Sequence, residues 1–305
     1  MGQRLVAIGD SFTEGLGDWN PRFPNSCRGW ADRVARQLSK QDPEWTYANL
    51  AIRSRKLAPI LDEQLEQGIA LRPTLMTLYA GGNDLLEFNA DIPALMDRYE
   101  SAVRRMRASG SDVLLFTGYD VHISPLVAPM RKRNWEFNSA VREIAERHGA
   151  VLVDYWGFEE FADRRFWGSD RLHMTAQGHR QLARRVLETL GVEHSIRNDD
   201  DGDDELDRET GRLGPVGDFG RAVADEHAWM RRWVLPMMAR RMRGVTLGDE
   251  LEPKWPYPIR PAAGMKRNAR RRERVSVPAG SFVDPDTGLV STGGGAGTAS
   301  SRVIP

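Results

Sequence analysis

The apolar run Leu5-Val6-Ala7-Ile8 stops at Gly9-Asp10-Ser11, and two further glycines, Gly15 and Gly17, follow closely. A serine delivered at the end of a buried strand can act as a nucleophile if three things accompany it. It needs a base, a group that orients the base, and N–H donors for the oxygen that becomes negative. "GSDRLHMTAQGH" places Asp170 three residues before His173, just ahead of a helical pattern. At that spacing a carboxylate can meet one imidazole nitrogen and leave the other facing a hydroxyl. "YAGGND" ends a buried run with two glycines and then Asn83, whose amide can donate into a cleft; "YANLAIRS" ends another at Asn49 and turns, offering a backbone N–H. With the N–H of Ser11 these make three donors around one point. Each piece alone is weak. Gly-Asp-Ser is a common turn, and an aspartate capping a helix beside a surface histidine looks the same as Asp170 and His173.

The elements that must bring these pieces together are legible in the first 190 residues. Short apolar runs at 5–9, 46–50, 75–80, 113–118 and 151–155 read as buried strands. Amphipathic stretches lie between them. "GWADRVARQL" puts Trp30, Val34 and Leu38 on one face, and "TAQGHRQLARRVLETLG" starts with Thr175 as an N-cap and closes at Gly191. Strict alternation predicts a parallel sheet with helices on both faces. Ligands in such sheets sit beyond the carboxyl ends of the strands. Ser11 and Asn83 both follow such ends.

Composition narrows the classes. The formal net charge is +0, so no overall field points to nucleic acid or a membrane. Cys27 is the sole cysteine, which excludes an intrachain disulfide and argues against a cysteine metal site. No apolar run approaches the ~20 residues of a membrane span. The amino-terminal apolar stretch runs straight into Gly-Asp-Ser, leaving no room for a secretory signal. The expectation is a soluble, cytoplasmic protein.

The pattern changes after Gly191. Four segments are expected: a catalytic-type domain over 1–192, an acidic linker over 193–215, an amphipathic helix with an extended segment over 216–262, and a basic then Gly/Ser-rich disordered tail over 263–305. The helix, near 219–243, carries Trp229, Trp233, Met237 and Met238 and should kink near Pro236. It reads as docked on the first domain, with a membrane-surface role as the alternative.

Together the four blocks resemble the SGNH hydrolases, also called the GDSL esterase/lipase family. "GDSFTEG" (9–15), "NLAIRS" (49–54), "GGND" (81–84) and "DRLH" (170–173) stand in the family's order, and the resemblance spans roughly residues 4–190. It implies a three-layer α/β/α sandwich with a five-stranded parallel sheet, flavodoxin-like, and acyl-ester hydrolysis without a metal or other cofactor. By position Ser11 matches the nucleophile, His173 the base and Asp170 its orienter. Ser11, Ser54 and Asn83 match the oxyanion donors, while Asp10, Gly9 and Gly82 support the turns. Two residues depart from the pattern. Phe12 stands where the family name has Leu. Ser54 stands where the family usually has Gly; a serine keeps the backbone N–H but puts a side chain near the cleft and disfavours any positive-φ geometry the turn needs.

Other groups carry less. His122, His148, His179, His194 and His227 show no metal-binding spacing and read as surface or helix residues, and Cys27 as a bystander thiol. The partner implied is a small-molecule ester. Two alternatives to the esterase stand beside it: a non-catalytic binding module on the same fold, and a lysophospholipase-like hydrolase docking on lipid through the carboxyl-terminal helix.

Overall fold

Short runs that are apolar on both faces can bury both by pairing as strands of a sheet covered on each side. Five such runs do so here: β1 (Arg4–Gly9), β2 (Thr46–Asn49), β3 (Leu75–Tyr79), β4 (Asp112–Phe116) and β5 (Val151–Val153). The computed structural model describes residues 2–87, 89–119, 128–197, 227–266, 268–269, 281–283 and 290–292. The acidic run from 198 onward and most of the tail lie outside them.

The five strands pair in parallel in the order β5-β4-β3-β1-β2. Alternate residues face opposite layers. Leu5 and Ala7 of β1 meet Trp30, Val34 and Leu38 of α2 (Gly29–Gln41) and Leu182 and Val186 of α8 (Ala176–Thr189). Val6 and Ile8 face the other layer, where α3 (Leu57–Ile60) contributes Leu57 and Ile60, α4 (Glu66–Ala70) Ile69, α5 (Gly82–Leu85) Leu85, α6 (Ile92–Ala108) Tyr99, Val103 and Met106, and α7 (Ala128–His148) Val141 and Ile144. Thr175 caps α8 as expected, its hydroxyl accepting the Gly178 N–H at 3.3 Å. The chain runs from β1 to β2 on one side and then to β3 on the other, so β1 and β3 flank a switch point at their carboxyl ends.

The sheet has six strands rather than five. The sixth, β6 (Trp255–Ile259), comes from the extended carboxyl-terminal segment and pairs antiparallel with β2. Pro256 and Pro258 lack N–H groups, so this strand can serve only as an edge. A short antiparallel pair, β7 (Ser281–Val283) with β8 (Val290–Thr292), lies in the tail where disorder was expected. The helix ahead of β6 includes a wide turn, Met230–Val234, directly before α9 (Leu235–Met242). The wide turn ends at Leu235, whose N–H donates to the Met230 carbonyl, immediately before Pro236, the residue expected to kink the helix. Trp229, at the front of this stretch, is buried. No described helix is long and apolar enough to cross a membrane.

Lys254, immediately before β6, ties the extension to the domain. It is fully buried; its ammonium donates to the carbonyls of Glu14 and Arg28 and pairs with Asp32, whose other oxygen accepts the Trp255 indole N–H at 2.9 Å. A buried ion pair contributes little net, but breaking one partner out of it is costly. Lys254→Met is therefore expected to lower the unfolding free energy by about 3–5 kcal/mol in urea denaturation. A loss below about 1 kcal/mol would show that the anchor is dispensable.

Candidate active site

At the carboxyl end of β1 the backbone passes very close to its neighbours. A Cβ on Gly9 would lie 2.4 Å from the Tyr79 carbonyl oxygen and 2.6 Å from Thr13 Oγ1, so only glycine fits. The buried Gln64 amide accepts the Gly9 N–H at 2.9 Å and donates to the Gly9 carbonyl at 3.1 Å. Asp10 then caps the short helix α1 (Ser11–Glu14), accepting the Phe12 N–H at 3.1 Å. The turn holds Ser11, 4% exposed, as the first helical residue. The buried Asn49 amide donates to the Thr13 carbonyl and its oxygen accepts the Ala51 N–H, which joins α1 to the turn after β2.

The second loop folds on itself. Gly168 N–H donates to the His173 carbonyl at 2.8 Å and Arg171 N–H to the Gly168 carbonyl at 2.9 Å. Asp170 Oδ1 accepts the N–H groups of Leu172 and His173, both at 3.0 Å, and Oδ2 lies 2.6 Å from His173 Nδ1. His173 Nε2 lies 3.1 Å from Ser11 Oγ. A carboxylate at Nδ1 fixes the tautomer, with the proton on Nδ1 and the lone pair of Nε2 turned to the hydroxyl. Burial works against the Asp170 anion, yet the imidazole and the two N–H donors hold its carboxyl below the usual range. The two loops touch at Gly17, where a Cβ would lie 2.1 Å from the Met174 carbonyl oxygen.

The turn after β2 adjoins the nucleophile turn, with the Ile52 N–H donating to the Gly9 carbonyl at 3.4 Å. Ser54 has φ of 64°, the left-handed geometry that a glycine adopts without strain. The turn is held by Glu14, whose fully buried carboxylate accepts the Arg53 N–H at 2.9 Å and the Arg53 guanidinium at 2.8 and 2.7 Å, with Asn25 Nδ2 at 3.0 Å. Asn83 lies in the same region, but its amide is engaged: Nδ2 donates to Asp10 Oδ2 and to the Arg55 carbonyl, both at 3.1 Å. The glycine requirement in "GGND" falls on Gly81 rather than Gly82. Gly81 has φ of 108° and a Cβ there would strike Phe137, whereas a Cβ on Gly82 would meet nothing. Asp84 accepts the Leu57 N–H at 2.9 Å and links this turn to the chain beyond Ser54.

A family model described as the GDSL-like Lipase/Acylhydrolase family matches residues 7–181, more than half of the chain. The chain belongs to that family. A curated relative, the acetylxylan esterase of Geobacillus stearothermophilus, is 26% identical over 211 residues, covering 63% of this chain and 95% of the relative. A solved structure of an acetyl-xylooligosaccharide esterase variant from the same organism aligns with a TM-score of 0.54 at 24% identity, over 64% of this chain and 97% of that one. A structure named TesA aligns with a TM-score of 0.53 at 23% identity, over 62% and 98%. These two share the fold. The matched family region stops before the helix of Trp229 and before β6.

Within this family frame several residues act that the sequence reading passed over. Glu14 sits inside the quoted "GDSFTEG" and Arg53 inside "NLAIRS"; an acid and a base, each in a motif, were the available signal for their pairing. Gln64 gave none. His179 lies on helix α8, one of the two placements expected of it, and is fully buried there, with Nε2 3.1 Å from the Leu16 carbonyl. It points away from Ser11, and burial pushes its imidazole down to about 4, so it holds the 15–18 loop as a neutral donor. Below it, Asp18 pairs with Arg33. Cys27 is buried, which pushes its thiol up to about 11, in keeping with a bystander. Among the described residues no group of three or more His, Cys, Asp or Glu could hold a metal ion.

Asp10, the cap of the nucleophile turn, is a strongly perturbed carboxyl. Burial pushes it up to about 7, against the Phe12 N–H, His173 and the Asn83 amide, which favour the anion. Its folded value is above the unfolded one, so its stabilising contribution is complete below about pH 4 and is lost as pH rises through about 7. Asp10→Asn keeps a capping oxygen and removes the titration. The stability of the variant relative to wild type is expected to rise by on the order of 3 kcal/mol between pH 4 and pH 7, measured by urea denaturation. Parallel curves for the two proteins would contradict the assignment.

Proposed function

We propose that the chain is a serine carboxylic-ester hydrolase that works through an acyl-enzyme. The observation that carries this reading is the continuous line of contacts from Asp170 Oδ2 through the His173 ring to Ser11 Oγ, at 2.6 and 3.1 Å. His173 Nε2 takes the Ser11 proton as Oγ attacks the ester carbonyl. The negative oxygen is received by the N–H groups of Ser11 and Ser54. Asn83 joins them by turning one amide hydrogen away from the Arg55 carbonyl as substrate binds, since catalytic hydrogen bonds tighten in the complex. His173 then gives its proton to the leaving alcohol. Water enters, loses a proton to the same nitrogen, and releases the acid and free Ser11.

The acyl group in this proposal is small and the alcohol is a hydroxylated carbohydrate. Two things support it. A curated relative, 26% identical over 211 residues, is an acetylxylan esterase. Beside the nucleophile, the Phe12 ring packs 5.2 Å from Tyr79, 6.3 Å from Tyr119 and 6.1 Å from His173, an aromatic wall next to the imidazole. The serine, histidine and aspartate roles are supported by the acetylxylan esterase structures described as catalytic mutants, which alter those three residue types.

Hydrolysis of p-nitrophenyl acetate by wild type, Ser11→Ala and His173→Ala tests the reading. Each substitution is expected to lower kcat by at least about a thousandfold. Acetyl esters should exceed octanoyl esters in kcat/KM by about tenfold or more. Equal, background rates for all three proteins would remove the esterase assignment, and a preference for octanoyl would remove the short-acyl part of it.

A further inference from the structure

The acid–base loop is braced from outside the family domain. Trp229, buried to 5% exposure, donates its indole N–H to the Asp170 backbone carbonyl at 2.8 Å. The next residue, Arg171, has φ of 58° and places its guanidinium 5.1 Å from the centre of the same indole ring. A non-glycine residue in the left-handed region is held there only where its surroundings over-determine it. The hydrogen bonds among Gly168, Asp170, Arg171, Leu172 and His173 are all made within the loop. The Trp229 contact differs in kind, because it ties the peptide that follows the catalytic acid to a separate helix.

From this we infer that Trp229 is a positioning residue for Asp170, and that the carboxyl-terminal extension completes the active site. Fixing the Asp170 carbonyl fixes the direction in which the chain leaves Asp170. That direction determines whether the carboxylate can hold the His173 N–H groups of backbone and ring together. The bond is partly buried, with the donor ring only 5% exposed, so solvent replaces the lost indole N–H poorly. The cation over the ring adds a contact that needs the aromatic face but not its N–H. The inference rests on the esterase reading for the role of Asp170.

The test separates the N–H from the ring in the full-length protein. Trp229→Phe keeps an aromatic face. Replacement of Trp229 by benzothienylalanine keeps the bicyclic shape, with sulfur in the place of the indole nitrogen. Both variants are expected to fold and to lose about tenfold in kcat on p-nitrophenyl acetate with KM nearly unchanged. The acidic limb of their kcat/KM profiles should move to lower pH, because a misaligned carboxylate stabilises the imidazolium less. The downfield proton resonance of His173 Nδ1–H, assigned by its loss in His173→Ala, should shift upfield or broaden. Unchanged kcat, pH profile and resonance in the benzothienylalanine protein would overturn the inference, as would absence of that resonance from wild type. If wild type lacks Ser11-dependent turnover, the esterase reading falls, and the resonance alone still decides whether Trp229 holds the Asp170–His173 pair.

Discussion

A hydrogen bond between Ser11 Oγ and His173 Nε2 joins residues 162 positions apart, and the surrounding structure is organised to hold its two ends in register. One end hangs from the first strand and the other from a loop ahead of the last helix of the domain. They meet because α2 and α8 pack side by side on one face of the sheet, bringing the start of α8 beside the start of α1. The meeting leaves no slack. At Gly17 the backbone of one loop passes so near the Met174 carbonyl that a side chain would be excluded. Loops that close have little room to drift, which is the condition for a hydroxyl and an imidazole to share a proton without reorganising.

Around the nucleophile turn the protein buries charge rather than avoiding it. Glu14 with Arg53, Asp18 with Arg33, and Asp32 with Lys254 all lie within or beside α1 and α2. Such pairs contribute little to net stability against apolar replacements. Their charged hydrogen bonds hold neighbouring segments to one another. Glu14 illustrates the gain: one carboxylate on α1 takes both the backbone and the side chain of Arg53 and so sets the turn in which Ser54 is left-handed. The penalty of about 1–2 kcal/mol for a non-glycine residue in that geometry is offset by a partner that cannot relax.

Much of this was legible from residue types. The five parallel strands follow from apolar runs, because burial on both faces leaves a plain pattern. Ser11, Asp170 and His173 could be matched because their motifs are local, each a few residues long. The glycine usual at the Ser54 position raised the question of positive φ there, and the structure answers it with a left-handed turn. What local pattern does not carry is pairing over distance. "KWPYPI" reads as extended, yet nothing in it names β2 as its partner, so the sixth strand was not foreseen. His179 looks like any polar residue on a helix until the fold turns it inward. The amide of Asn83 sits where its motif puts it, but its engagement with Asp10 and Arg55 depends on two turns meeting. Trp229 belongs to an amphipathic stretch whose face could be read and whose destination could not.

The central claim is that Ser11 alone among the serines is activated, and that His173 activates it. Covalent trapping with a fluorophosphonate, followed by peptide mass spectrometry, tests this most directly. A single adduct is expected on Ser11, forming rapidly in wild type and lost in His173→Ala. Labelling at another residue, or labelling of Ser11 at the same rate without His173, would contradict it.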